Sequence, residues 1–325
     1  MPSTTTDLPV QRKLVEILRI IKESKDAIGA RLIADRLNER GYQIGERGVR
    51  YHLRILDERG MTKKQGYEGR ILTHAGFMEL EHALVKDRLG FVITKIERLI
   101  YSTTFDLHTR KGNVVVNISI VDLDDFDRVM DCIEEVNNSI YTISSRISLI
   151  EESCADVRIP QGTIGIATMC SITIDGILLK NGIPVNIKYG GLVEIREGKP
   201  HAFTDVIAYR ATSIDPMKIF MSRKMTSVTQ TIKEGRGKVL ANIREIPYSA
   251  KSNMEEVLTA AELVGIGGLI KSDEKEIFLH QRASGRIRIP VYAGINASAA
   301  VDEAGIPITT YPVSQLMKFE DMKQI

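Results

Sequence analysis

Two strand-like runs 125 residues apart resemble one another, and this recurrence restricts the architecture of the chain more than any other feature. GNVVVNISIVD starts at Gly112 and GKVLANIREIP at Gly237, so that Gly112, Val114, Asn117 and Ile118 recur as Gly237, Val239, Asn242 and Ile243. Each run leads into a helix-like run, FDRVMDCIEEV in the first case and MEEVLTAAELV in the second. Later, LLKNGIPV (178–185) echoes VDEAGIPI (301–308), in the same order. Each copy reads as strand, helix, strand, strand, helix, strand. Strands are expected near 113–121, 145–150, 163–168 and 184–189, with helices near 124–137 and 170–181. The second copy has strands near 238–246, 265–270, 287–293 and 306–310, with helices near 252–263 and 296–304. That is the split βαβ order of a ferredoxin-like fold, so residues 106–325 are expected to form two related βαββαβ lobes, about 106–230 and 231–325. Paired lobes bury their sheets against one another or against a dimer partner, and a ligand fits the cleft between them.

The first 75 residues follow a different plan, making the whole chain α+β. Leu8, Val10, Leu14, Ile17, Leu18 and Ile21 give a helix from about 9 to 23; Ile28, Leu32, Ile33 and Leu37 give a second, closed by Gly41. A third, over 46–59, buries Val49, Leu53, Ile55 and Leu56 and stops at Gly60. MTKKQGYEGRILT then reads as a two-stranded ribbon, which completes a winged helix-turn-helix. The third helix leaves Glu46, Arg47, Arg50, Tyr51 and Arg54 on its outer face for the major groove, where arginine pairs with guanine O6 and N7. Lys63, Lys64, Tyr67 and Arg70 fall on the wing, beside phosphates or in the minor groove. The alternative use of such a module is protein contact. Charge sharpens the choice: residues 1–80 hold 15 Lys and Arg against 11 Asp and Glu, and the remainder 29 against 31. The overall charge of +2 excludes a uniformly basic nucleic-acid coat. HAGFMELEHALVKDRLG (74–90) reads as helical and opens a connector over 76–105, offering Phe77, Leu80, Ala83, Leu84 and Leu89 for packing.

Enzyme chemistry finds no support. No GxGxxG follows a strand, GxxxxGK[ST] and HExxH are absent, and the Gly-rich GIGGLI (265–270) lacks the lysine and hydroxyl that hold nucleotide phosphates. The six histidines have no metal-ligand neighbours. No catalytic residue, metal or cofactor is therefore expected. Three cysteines (Cys132, Cys154, Cys170) without CxxC point away from a disulfide scaffold. The opening MPSTTTDLPVQRK carries no apolar signal segment, and no run reaches the ~18 apolar residues of a membrane span, so a cytoplasmic protein without membrane contact is expected.

The densest unusual stretch is ESCADVRIPQGTIGIATMCSITIDGILLKNGIPVNIKYGG. Gly190 and Gly191 offer consecutive backbone N–H groups to an anion, and Thr168-Met169-Cys170-Ser171 leads into a helix start that does the same. Arg158, Lys188 and Arg210 supply cations for carboxylates, and Cys170 at the helix start is expected to have a lowered pKa. Thr168, Cys170, Ser171, Gly190 and Gly191 with these cations form a candidate small-anion pocket; the alternative is a Gly-permissive sheet corner with Cys170 inert. AYRATSIDPMKIFMSRKMTSV, with a turn at Asp215-Pro216, reads as a lid, a lobe contact or a dimer seam.

The winged helix, ADVRIPQGTIGIATMCSITIDGILLKNGIPVNIKYGGLVEI (155–195) and YRATSIDPMKIF (209–220) together resemble NrpR, the family of nitrogen-responsive transcriptional repressors of methanogenic archaea. The winged helix alone is of a kind also found in front of ribonuclease R. The resemblance implies a homodimer that binds double-stranded operator palindromes at nitrogen-assimilation promoters, including those for nitrogen fixation and glutamine synthetase. It implies release by 2-oxoglutarate. It also implies, as partners of some family members, a second NrpR-type subunit, a PII-type protein or general transcription factors, and some members carry two copies of the body domain where this chain has one. The ligand site is not carried over from the family; the effector residues above rest on chemistry alone. A different metabolite such as glutamine, an enzyme fused to a DNA-binding head, and an architectural binder that ignores small molecules are the rivals.

Overall fold

Apolar residues at helical spacing bury one side of each of three N-terminal helices. In the computed structural model, which describes residues 8–24, 26–77, 80, 91–153, 157–272, 277 and 285–325, these are α1 (Leu8–Glu23), α2 (Ala30–Glu39) and α3 (Glu46–Glu58). Ile17 and Leu18, Ile33 and Leu37, and Val49, Leu53 and Leu56 meet in one core. His52 takes a buried place on α3, while Ile55 is only half-buried. Burial lowers the pKa of His52, so its neutral ring is what packs. The wing is the antiparallel pair β1 (Thr62–Gln65) and β2 (Gly69–Leu72). Ile28 adds a bridge to Arg70 through paired N–H···O bonds of 3.1 and 3.0 Å. Gly69 makes that crossing possible. Its φ is +137°, and a Cβ there would lie 2.2 Å from the Ile28 carbonyl oxygen. The winged helix is therefore present as its periodicity indicates.

The chain divides between Arg88 and Leu89, and α4 (Phe91–Ser102) opens the second unit. Residues 78–79 and 81–90 of the expected connector, among them Ala83, Leu84 and Leu89, lie outside the described residues, as does Cys154.

The second unit contains β3 (Asn113–Asp122), α5 (Phe126–Asn137), β4 (Arg146–Ile150), β5 (Thr163–Met169), α6 (Ile172–Lys180) and β6 (Asn186–Arg196). The second copy supplies β8 (Gly237–Pro247), α9 (Lys251–Leu263), β9 (Arg286–Tyr292), α10 (Asn296–Glu303) and β10 (Ile308–Lys318). Between them come β7 (Lys199–Ala208), α7 (Pro216–Ser222) and α8 (Val228–Glu234), and β11 (Lys323–Gln324) ends the chain. The strands form two antiparallel sheets ordered β10-β3-β5-β4-β11 and β7-β6-β8-β9. The two ferredoxin-like halves have exchanged their fourth strands. β6, the last strand of the first half, pairs with β8 of the second, and β10 of the second pairs with β3 of the first. The helices follow suit: α5 and α10 share one apolar cluster, α6 and α9 another.

One expected strand is missing. Residues 265–270 reduce to a single bridge from Leu269 to Val291, because Gly265 and Gly268 turn through positive φ (+82° and +94°) and break the extended run. The remaining core is dense. Every residue from Val114 to Val121 is buried, and each fully buried Val or Ile side chain contributes about 1.5–3 kcal/mol. Among the described residues no helix is long and apolar enough to cross a membrane.

Candidate functional site

Burial of Val49, His52, Leu53 and Leu56 at helical spacing turns the opposite side of α3 outward. Arg47, Arg50, Tyr51 and Arg54 are all exposed there. Glu46 accepts from Arg50 Nη2 at 2.6 Å and Nε at 3.0 Å; Arg54 lies 3.5 Å from Glu58 and 5.9 Å from the centre of the Tyr51 ring. Such exposed i,i+4 pairs are worth about 0.3–0.5 kcal/mol, so both guanidinium groups are readily drawn to a stronger anion or a base edge. Lys63 and Lys64 stand exposed on the wing with Tyr67 at its tip. Arg70 is different. Its Nε donates to Asp57 Oδ2 at 2.8 Å while Thr62 Oγ1 donates to Asp57 Oδ1 at 2.6 Å, so one carboxylate ties both wing strands to α3. Arg70 braces the wing.

In the second unit the recurring asparagines, Asn117 of β3 and Asn242 of β8, line one pocket where the halves meet. Asn242 is fully engaged: its Oδ1 accepts from Tyr209 Oη at 2.7 Å and its Nδ2 donates to Ser171 Oγ at 3.0 Å. Asn117 is only half engaged. Its Oδ1 accepts from Val313 N at 3.0 Å, which fixes the amide orientation, and its buried Nδ2 has no partner. That bond goes with a bulge in β10, where Val313 adopts φ +48°, a costly conformation for a β-branched residue. Gly294 closes the wall; a Cβ there would sit 1.9 Å from the Met169 carbonyl oxygen and 3.2 Å from Asn117 Nδ2. Behind Ser171, Arg244 donates from Nη2 to the Ser171 carbonyl at 2.9 Å and from Nε to Asp175 Oδ1. Arg244 and Asp175 are both fully buried and join β8 of one half to α6 of the other.

The space at Asn117 is a throat of about 10 Å³, roughly one water. Ile295 and Pro312 also line an adjoining cavity of about 160 Å³, rimmed by Lys218 and Lys224. Lys224 is held by Asp302 at 2.8 Å, and the Lys218 ammonium lies 5.6 Å from the centre of the Tyr311 ring. Asp215 also lines the throat, caps α7 by accepting from Met217 N at 2.9 Å, and is pushed up to about 6 by burial, against the opposing pull of the Met217 and Lys218 N–H groups and the Lys95 and Lys218 charges. A carboxyl raised in the fold carries its proton there while the unfolded chain has already lost it, so stability falls as pH rises from about 4 to about 6. Asp215→Asn, which keeps the cap, is expected to flatten that fall and to gain about 1–3 kcal/mol above pH 6. Denaturant unfolding of both proteins at stepped pH reads the difference; parallel curves would refute it.

Of the effector residues read from sequence, the fold gathers Cys170 and Ser171 at the throat. Thr168 stands behind the wall, donating from Oγ1 to the Gly294 carbonyl at 3.3 Å. Gly190 and Gly191 lie in the β6 ladder, not in an anion nest; Gly190 gives room to Met217, Pro216 and Tyr209. Arg158 and Arg210 are exposed and line neither cavity, and Lys188 pairs with Glu245 at 3.2 Å. Burial pushes the Cys170 thiol up to about 12, the reverse of the lowering expected for a helix start. Asn117, Asn242, Tyr209, Asp215 and Lys218 were not anticipated as site residues. Among the described residues no group of three or more His, Cys, Asp or Glu is placed to hold a metal.

Residues 89–324 match the family model described as NrpR regulatory domains NRD1 and 2. The chain belongs to the NrpR family. Residues 15–80 match a ribonuclease R winged-helix domain. The chain is 49% identical over 98% of its length to the Global nitrogen regulator NrpRI of Methanosarcina mazei, covering 99% of that protein. It is 34% identical over 97% of its length to the Global nitrogen regulator NrpR of Methanocaldococcus jannaschii, of which it spans 55%. A crystal structure of a nitrogen repressor-like protein from Methanococcus jannaschii matches 72% of this chain and 97% of its own, with 26% identity and a TM-score of 0.58. NrpR relatives are named as regulators, and the chain is a nitrogen-related transcriptional regulator, not an enzyme.

Proposed function

We propose that the chain represses nitrogen-assimilation genes by binding palindromic operator DNA as a homodimer, and that 2-oxoglutarate entering the junction throat releases it. The observation that carries the effector reading is the Asn117 amide, a buried donor without a protein acceptor, in a pocket built by both halves. A keto or carboxylate oxygen satisfies it. The start of α6 behind Ser171 and the Lys218 ammonium at the wider mouth favour the negative charges of a dianion.

The throat is too narrow for the ligand as it stands, so a molecule that reaches Asn117 parts the halves, and the exchanged strands carry that movement into both sheets. A hundredfold preference for the parted state gives about 2.7 kcal/mol of coupling, enough to empty an operator. In a dimer the two winged helices are then held at a spacing that no longer matches the half-sites. One winged helix alone makes few base contacts, which is why a dimer on a palindrome is part of the proposal.

The test is operator affinity at fixed salt, titrated with 2-oxoglutarate and with glutamate as control. Release by 2-oxoglutarate alone is expected. Asn117→Leu is expected to raise the concentration for half-release by about tenfold or more, since a hydrogen bond to a charged group is worth about 1.5–3 kcal/mol. Thermal unfolding of the variant confirms that it is folded. Affinity unmoved by either acid would return the effector to another ligand or a partner protein.

A further inference from the structure

The offset that pairs Asn117 with Asn242 also pairs Asn137 with Glu262 and Thr142–Ser145 with Gly267–Ile270. Both sets line a second cavity of about 480 Å³, which shares no residue with the throat or its antechamber. The loop after α5 and the loop after α9 meet here, joined by Gly267 N donating to the Ile143 carbonyl at 2.7 Å. Gly268, at φ +94°, permits the contact; a Cβ on it would lie 2.6 Å from Ile143 Cδ1.

The repeat has broken its symmetry at this cavity in a way that prescribes a ligand. Asn137 is buried, its Oδ1 accepts from Thr142 Oγ1 at 3.2 Å, and its buried Nδ2 has no partner. Its counterpart Glu262 is a carboxylate that faces the Lys271 ammonium at 3.1 Å across an exposed rim. An unpaired amide donor, a carboxylate and an ammonium thus border one cavity. We infer that this cavity is a second small-molecule site, built for a zwitterionic α-amino acid. Glu262 receives the ligand ammonium, and the Asn137 amide with Lys271 receives its carboxylate. The rim pair opens at little cost because both partners are solvated. A dicarboxylate is disfavoured, because one of its anionic ends meets Glu262. The site is independent of the dianion reading of the throat.

The experiment is isothermal titration of the full chain with each of the common L-amino acids at millimolar concentration, with 2-oxoglutarate and operator release run alongside. At least one amino acid is expected to give a saturable isotherm and a raised unfolding temperature. Glu262→Gln, at an exposed position, and Asn137→Asp, which keeps the acceptor for Thr142 but sets a carboxylate against the ligand, are each expected to weaken that binding by about tenfold or more. Both leave release by 2-oxoglutarate unchanged. No heat or thermal shift with any amino acid overturns the inference, as does binding of equal strength in both variants. Neither result touches the operator assay that tests the throat.

Discussion

Asp175→Ala is expected to lower unfolding stability by about 3–5 kcal/mol, because it leaves the Arg244 guanidinium charged and without its carboxylate in a site closed to water. Arg244 and Asp175 expose none of their side chains, and Arg244 Nη1 and Asp175 Oδ2 already lack partners. The pair is therefore solvated almost entirely by its own members and by the Ser171 carbonyl. The double variant Asp175→Leu with Arg244→Met is expected to recover most of the loss, since a buried pair replaced by apolar groups of similar volume is often neutral. Exposed pairs such as Lys224–Asp302, at 2.8 Å, set the scale for comparison, at about 0–1 kcal/mol. Chemical denaturation of the four proteins of the cycle measures the coupling. A single-variant loss no larger than that of an exposed pair would refute the account. The double variant has a second use: it removes the donor that holds Ser171 from behind, so a changed 2-oxoglutarate response in a stable protein would show that the pair orders the throat.

The helices of the first unit were legible because their signal is local. Leu53 and Leu56 need only α1 and α2 beside them to be buried, and that spacing is written within a few residues. The exchange of fourth strands was not legible for a physical reason. β6 and β10 keep the same apolar pattern whichever half they join, so the order βαββαβ is unaltered by the swap. At the throat the sequence showed Asn117 and Asn242 as repeat matches, but their closeness depends on that swap. Charge alone points instead to Arg158, Lys188 and Arg210, which the fold places away from the throat. Tertiary context changes what two local patterns imply. A cysteine at a helix start is lowered only if water or charge reaches it, and Cys170 is sealed. On the wing, Arg70 Nε donates to Asp57, thirteen positions earlier in the chain, a brace that the local pattern does not show.

Arg50→Ala combined with Arg54→Ala is expected to cut the preference for operator over unrelated duplex by about a hundredfold or more, each good arginine–guanine contact being worth about 1–3 kcal/mol of discrimination. Both side chains are about 70% exposed, both make weak pairs, Arg50 with Glu46 and Arg54 with Glu58, and both project from the face of α3 opposite its buried residues. Exchange of those carboxylates for base edges costs little, so most of the contact energy is available for reading sequence. Lys63→Ala and Lys64→Ala should act differently, weakening operator and unrelated DNA alike and reducing the salt dependence, as lost phosphate contacts do. Arg70→Ala supplies the third pattern. It is expected to loosen the wing by about 1–2 kcal/mol and to leave sequence preference intact in the folded fraction. Fluorescence anisotropy on operator and scrambled duplexes at two salt concentrations separates the three. If preference survives loss of both arginines, α3 is not the reading element. Should Arg70→Ala abolish preference at unchanged stability, the Asp57 brace is not its role and the wing reads sequence itself.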